Sequence, residues 1–147
     1  MTSTFVISPS TPTGNNRRIE LVGMDQWTIA RIDNVFVYPS EINLDRLKKA
    51  LNRTLSVWAF VTGRVLLENE QHCIIEICDN PIPVAFVVNN DLKEWPLNSD
   101  VIVEVTNSLF PMFIDGVQVM NLCKSSTDEP LVRLKLTHIL QSDEWAL

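Results

Sequence analysis

The hydrophobic pattern of the chain changes its period at Gly63, and this change constrains the fold more than any other feature. Before Gly63, apolar side chains recur at steps of three and four residues, which is the spacing of one face of an α-helix. These side chains are Leu44, Leu47, Leu51, Leu55 and Trp58. After Gly63, short apolar runs alternate with polar turns, a pattern typical of β-strands. The sequence therefore predicts one main helix near residues 41–60, with strands around it.

The ends of this helix have their own signals. Ser40 is the predicted N-cap, and Glu41 places a negative charge near the positive end of the helix dipole. Gly63 is the predicted stop, either as the residue just past the helix or in the turn that follows it.

Short strands are predicted on both sides of the helix. They are residues 19–22, 35–38, 65–67, 73–77, 84–88, 101–105 and 131–137. Segment 117–122 alternates between apolar and polar residues in its first half, and residues 109–111 are predicted to form a loop. The polar residues 68–71 favour a hairpin between two of them. In segment 131–137, Val132, Leu134 and Leu136 are predicted to face inward and Arg133, Lys135 and Thr137 outward. A turn at 141–144 then leads to Trp145-Ala146-Leu147, read as the opening of a further strand.

Length and charge limit the kinds of function. A chain of 147 residues fits one domain or part of one, since domains average roughly 100–200 residues. Residues 1–16 are expected to be an irregular lead-in, with a short strand at 5–7, and residues 17–147 to form the domain. The net charge of −6 disfavours nucleic acid and anionic membranes as partners. Three cysteines and no visible signal peptide or membrane span predict reduced thiols and a cytoplasmic location.

One small cluster has the residue types of a metal site. His72, Cys73, Cys78 and Asp79 lie close in sequence, but zinc sites need a second pair of ligands and none follows. We therefore expect no metal, and read the two cysteines as small side chains in a hairpin core. The four glycines of the chain are not spaced as a phosphate-binding loop.

The order of several short segments resembles the N-terminal region of the BAHD acyltransferase family, and its fungal branch in particular. The matching segments are Leu21-Val22-Gly23-Met24-Asp25, the leucine-rich helix 47–55, Val61-Thr62-Gly63-Arg64-Val65, and the strand pair formed by 132–137 and 145–147. The first segment departs from the family pattern, which has Ser where Val22 stands. Together the segments span nearly the whole chain.

The resemblance implies an α/β fold of the α+β sandwich type, namely an incomplete chloramphenicol acetyltransferase-like N-terminal domain with a mixed sheet. Family members transfer an acyl group from acyl-CoA, their co-substrate, to an alcohol or amine. The resemblance implies no covalently bound cofactor. The family motif His-x-x-x-Asp-Gly supplies the general base, because an imidazole can take a proton from a hydroxyl near neutral pH. The resemblance also suggests a role in secondary metabolism.

His138 and Asp143 are the only residues that come near this motif, and they do not match it. Asp143 follows His138 by five residues instead of four, and Glu144 stands where glycine is expected. In the family, the motif comes after a strand like the one that opens at Trp145. We therefore assign no catalytic residue here. His138 and Asp143 remain a minority alternative. We therefore expect a fragment of an acyltransferase that is not catalytic alone, from a partial gene model or a decayed copy. The alternatives are a non-catalytic interaction module able to self-associate and a small enzyme that uses His138.

Overall fold

The computed structural model of the chain describes residues 1–14, 16–23, 32–68, 72–95, 110–116 and 128–147. The predicted strand at 101–105 and the alternating segment 117–122 lie outside these ranges. The described elements, in chain order, are β1 (Thr2–Ile7), β2 (Arg17–Glu20), β3 (Val37–Tyr38), α1 (Leu44–Val57), a 3₁₀ helix (Ala59–Thr62), β4 (Arg64–Glu68), β5 (His72–Ile77), β6 (Ile82–Asn89), α2 (Phe110–Phe113), β7 (Leu134–Ile139) and β8 (Glu144–Ala146). The fold is mixed α/β, mostly sheet, with one main helix, as the hydrophobic pattern predicts.

The described strands form two sheets. The larger has five strands in the order β1-β6-β7-β8-β3, and the smaller has three in the order β2-β5-β4. The β6–β7 pair is parallel, whereas the other pairs of both sheets are antiparallel. The predicted hairpin of β4 and β5 is confirmed, with Val65 opposite Ile75 in its register.

Helix α1 begins later than the sequence predicts. Its N-cap is Asn43, not Ser40, because the Asn43 side-chain oxygen accepts a 2.9 Å hydrogen bond from the Arg46 backbone N–H. Asp45 then supplies the negative charge in the first turn, the role expected of Glu41. Both Ser and Asn suit an N-cap, so the sequence alone offers no means of choosing between them.

The predicted apolar face of α1 is confirmed except for its last residue, Trp58. Leu55 is 1% exposed and packs with Ile7, Ile82 and Val84 on one face of the five-stranded sheet, which we call the helix face. Trp58, by contrast, is 61% exposed. The helix ends at Val57 and Trp58 has left the helical conformation, with φ −114° and ψ 66°, so the 3.6-residue period no longer applies to it.

The opposite face of the five-stranded sheet is covered as well, which corrects the outward placement of Thr137. Thr137 has no exposed surface, and its hydroxyl donates a 2.8 Å hydrogen bond to the carbonyl oxygen of Met112 in α2. Phe113 of α2 packs there with Ile139 and Ala146. We call this the α2 face. Phe110 and Pro111, which the sequence places in a loop, belong to the short helix that covers it.

The first residues are more regular than the expected lead-in. Thr2–Ile7 form a full strand that pairs with β6, with Phe5 opposite Val84. Its exposed, polar side chains lie at the open edge of the sheet, so they do not produce the alternation by which strands are usually recognised. The strand predicted at 35–38 is shorter in the structure and comprises only Val37–Tyr38.

Candidate functional site

The β7–β8 hairpin carries both residues that the sequence singled out as a possible catalytic pair. It lies inside the five-stranded sheet, between β6 and β3. His138 lies opposite Trp145, and Thr137 opposite Ala146. Trp145 and Ala146 are 5% and 1% exposed. The strand predicted to open at Trp145 is therefore confirmed, and it is part of the core.

The turn of this hairpin is fixed by contacts to the end of β6 and to the segment after it. The Leu140 N–H donates to the Asn89 carbonyl oxygen over 3.0 Å, and the Gln141 side chain donates to the Asn90 carbonyl oxygen over 2.7 Å. Asp143 closes the turn with φ +58°, in the left-handed region that asparagine and aspartate tolerate better than most residues.

Inside the hairpin, the structure brings His138 and Asp143 together. His138 Nε2 lies 2.8 Å from Asp143 Oδ1. The imidazole ring also stacks on Trp145, with ring centroids 4.3 Å apart and planes within 15°. The His138 side chain is 15% exposed. The pair that the sequence held as its minority alternative is thus a real contact that links the two ends of the turn.

A general base also needs a free ring nitrogen beside a cavity that holds the substrate. In the β6–β7 register, His138 is opposite Val88 and shares a face with Leu134, which packs against the helix-face core. A cavity of about 470 Å³ lies on the α2 face instead, lined by Ala85, Val87 and Lys135 among others. His138 does not line this cavity, and its Nε2 is engaged by Asp143.

The two cations that line this cavity have partners already. Lys135 Nζ donates to the Pro111 carbonyl oxygen over 2.6 Å and lies 3.6 Å from Asp115 Oδ1. Arg133 Nε donates to Glu129 over 3.0 Å. Both cations are therefore engaged by groups of the protein itself.

The sequence predicts that His72, Cys73, Cys78 and Asp79 do not bind a metal ion. Across the ranges that the structure describes, no group of three or more histidine, cysteine or acidic side chains is placed to hold a metal ion. Cys78 Sγ instead donates to the Thr62 carbonyl oxygen over 3.1 Å, and Cys73 is buried.

Asp79 has a structural partner, Thr13. Its Oδ1 accepts hydrogen bonds from the Thr13 hydroxyl, over 2.6 Å, and from the Thr13 N–H, over 2.8 Å. These two bonds, the hydroxyl first, hold the pKa of the Asp79 carboxyl below its ordinary value of 3.8. Asp79 thereby ties the segment after β1 to the end of β5.

Arg64 lies in one of the segments that carry the family resemblance, but the sequence did not predict the contacts that it makes. Its residue is only 8% exposed. The guanidinium donates to Asp128 over 2.7 Å, to the Thr62 carbonyl oxygen over 2.6 Å and to the Pro81 carbonyl oxygen over 3.3 Å. The hydrogen bond from Arg64 is also the main reason why the pKa of Asp128 is lowered. An arginine directly after a glycine at the start of an apolar strand is the sequence signal that could have identified it.

Gly63 precedes this arginine for a steric reason. A Cβ at this position would lie 2.6 Å from Ile75 Cγ2, closer than packed carbon atoms approach one another. Its φ of −61° is ordinary, so close approach between the 3₁₀ helix and β5, and not a left-handed conformation, calls for glycine. The Gly63-Arg64 pair therefore connects three segments: the 3₁₀ helix, β5 and the approach to β7.

Comparisons with known proteins leave the family of the chain open. No protein-family model matches the sequence. No curated protein matches it either. No helix among the described residues is both long enough and apolar enough to cross a membrane.

Proposed function

We propose that this chain corresponds to the N-terminal region of a BAHD-like acyltransferase, which in its complete form transfers an acyl group from acyl-CoA to an alcohol or amine. The fold proposed with it is that of a chloramphenicol acetyltransferase-like N-terminal domain. The observation that carries the proposal is the β7–β8 hairpin, buried inside a mixed sheet, with Trp145 and Ala146 in its second strand. The resemblance expects a strand pair of this kind directly before the catalytic motif.

The Gly63-Arg64 turn gives further support. It resembles the glycine-arginine turn of the family, and both residues have specific packing roles here. Burial of a guanidinium is costly unless its donors are satisfied, and Arg64 meets this requirement with one carboxylate and backbone carbonyl oxygens.

In this proposal His138 and Asp143 stabilise the hairpin and do not catalyse. The imidazole is held between the Asp143 carboxylate and the face of Trp145, and it lies on the helix face, away from the cavity on the α2 face. Acyl transfer depends on exact positioning of a thioester and an acceptor beside the base. We therefore expect residues 1–147 to lack acyltransferase activity by themselves.

Sequencing the transcript through and beyond codon 147 tests the proposal. The expected result is a reading frame that encodes His-x-x-x-Asp-Gly shortly after the β8 strand. A transcript that encodes no such motif would overturn the acyltransferase assignment. Measuring CoA release by the purified chain and its His138→Ala variant tests the role of His138, and equal, background-level rates are expected.

A non-catalytic interaction module is the second candidate, and one exposed cluster favours it. Val57 ends α1, Trp58 follows it and Phe60 lies in the 3₁₀ helix, and they are 89%, 61% and 40% exposed. Large apolar side chains grouped in this way mark surfaces that bind other proteins. A chain that lacks the catalytic motif and binds a protein partner through these residues would support this candidate.

A further inference from the structure

Among the described strands, β1 forms an open edge of the five-stranded sheet. Within the described ranges it pairs with β6 alone, and Thr2, Ser3, Thr4 and Val6 are exposed. Val6 is 63% exposed. An open edge presents unpaired backbone N–H and C=O groups, so it can accept another strand.

The hydrogen bonds at its first residue determine which backbone groups are free. The Met1 and Val88 backbones exchange two hydrogen bonds, of 3.2 Å and 2.9 Å. In an antiparallel pair such residues alternate with residues whose N–H and C=O groups point away from the partner strand. Since Met1 is hydrogen-bonded to β6, the backbone groups of Thr2, Thr4 and Val6 point to the open edge.

The other open edges of the described sheets are protected. β2 carries Arg17, Arg18 and Glu20 over its four residues, and β3 has only two residues. β4 begins with a bridge between Arg64 and Pro130. Charges, shortness and cover are the usual means of preventing edge pairing. β1 has six residues, TSTFVI, with no charge, proline or glycine among them.

We propose that this edge pairs with β1 of a second copy of the chain, in antiparallel orientation about a twofold axis at Thr4. Thr4 would then lie opposite Thr4 of the second copy, and Thr2 opposite Val6. These are the residues with free backbone groups, so three pairs would form about six hydrogen bonds. A register centred on Phe5 would leave Thr2 without a partner in β1 of the second copy, and it would form fewer hydrogen bonds.

The side chains of β1 fit a second copy of the same strand. In this register the small Ser3 lies beside Phe5 of the other copy, and Thr2 lies beside Val6, which is similar in size. The net charge of −6 makes two copies repel each other elsewhere on their surfaces. β1 carries no charged side chain, so pairing along it brings no like charges of the strand together. This pairing does not rest on acyl transfer.

Sedimentation velocity of the full chain over about two decades of protein concentration tests the proposal. The wild type should form a dimer, and Val6→Lys should weaken it at least about tenfold by placing a charge at the edge. Val22→Lys is the matched control, because Val22 is 62% exposed and lies just after β2 of the other sheet. A wild type that stays monomeric, or equal weakening by both variants, would overturn the proposal.

Amide hydrogen exchange of the wild type gives an independent answer that does not require Val6→Lys to fold. Raising the protein concentration should slow exchange at the amides of Thr4 and Val6, whose N–H groups face the open edge. Exchange at Phe5, whose N–H faces β6, should change less. Equal change at all three amides, or none, would contradict pairing along this edge.

Discussion

Replacement of Gly63 by alanine is expected to destabilise the fold through a small number of close contacts. An alanine Cβ would lie 2.6 Å from Ile75 Cγ2, 3.0 Å from the Phe60 carbonyl oxygen and 3.3 Å from Leu131 Cδ1. Ile75 is 3% exposed and packs with Val65 in the core of the smaller sheet, so its methyl group has little room to move. Overpacking of this kind costs about 1–3 kcal/mol.

A smaller effect works in the opposite direction. Gly63 has φ −61° and ψ 163°, a conformation that alanine adopts without strain. The substitution therefore also restricts the unfolded chain, which stabilises the native state by about 0.4–1 kcal/mol. The expected net loss in the free energy of unfolding is about 1–2 kcal/mol, which lowers Tm by roughly 2–8 °C in a chain of this length.

Urea unfolding followed by circular dichroism measures this loss. Gly116→Ala is the matched control, because a Cβ at Gly116 has no neighbour within 4 Å and its φ lies outside the left-handed region. This control should be neutral or slightly stabilising. The Gly63→Ala penalty should also shrink when Ile75 is replaced by alanine, which removes the contacted methyl group. An unchanged penalty in that background would refute the steric explanation.

Three further predictions concern polar contacts. Arg64→Met should lower the free energy of unfolding by about 2 kcal/mol, because the buried guanidinium satisfies several acceptors. Arg18→Met should cost less than about 1 kcal/mol in the same urea assay, because the Arg18 side chain is 56% exposed in its ion pair with Glu76. The lowered pKa of Asp79 stabilises the native state above the unfolded pKa, and this contribution is lost as pH falls through the lower folded pKa, so Thr13→Val should make Tm less sensitive to acid below about pH 4. His138→Ala should cost about 1 kcal/mol of stability, by urea unfolding, through loss of one hydrogen bond and one ring contact.

Each of these has an outcome that would contradict it. Equal losses for Arg64→Met and Arg18→Met would mean that burial of Arg64 does not matter. An unchanged acid dependence of Tm in Thr13→Val would remove the Thr13 hydroxyl as the main cause of the lowered Asp79 pKa. A His138→Ala variant as stable as the wild type would show that the pair does not hold the hairpin together.

Local periodicity accounts for the part of the fold that the sequence predicted well. Steps of three and four residues identified α1, and short apolar runs divided by a polar turn identified the β4–β5 hairpin, because both patterns arise from contacts between near neighbours in the chain. The strand at Trp145 was predicted in the same way, aided by the family resemblance.

Contacts between distant parts of the chain account for the errors. Thr137 looks like an outward-facing residue of an amphipathic strand, and only the packing of α2 on that face buries it. The sequence predicts only residues 5–7 of the edge strand β1, because the exposed residues at its start leave no alternation to recognise. Neither fact is contained in the nearby sequence.

The candidate site was likewise predictable where it depends on near neighbours in the chain and not where it depends on distant segments. The sequence named His138 and Asp143 because of their residue types and spacing, and a turn of four residues does bring them together. Their orientation relative to the cavity depends on the pairing of β7 with β6, which joins segments about fifty residues apart in the chain and could not be inferred locally.

CoA release by the protein made from the complete transcript, measured beside the chain of 147 residues, tests the central proposal most directly. We predict that the complete product consumes acyl-CoA with an alcohol or amine acceptor and that the shorter chain stays at background. His138→Ala in the complete product should preserve most of the activity. Acyl transfer by the shorter chain that disappears with His138→Ala would contradict it, because that imidazole would then be the base.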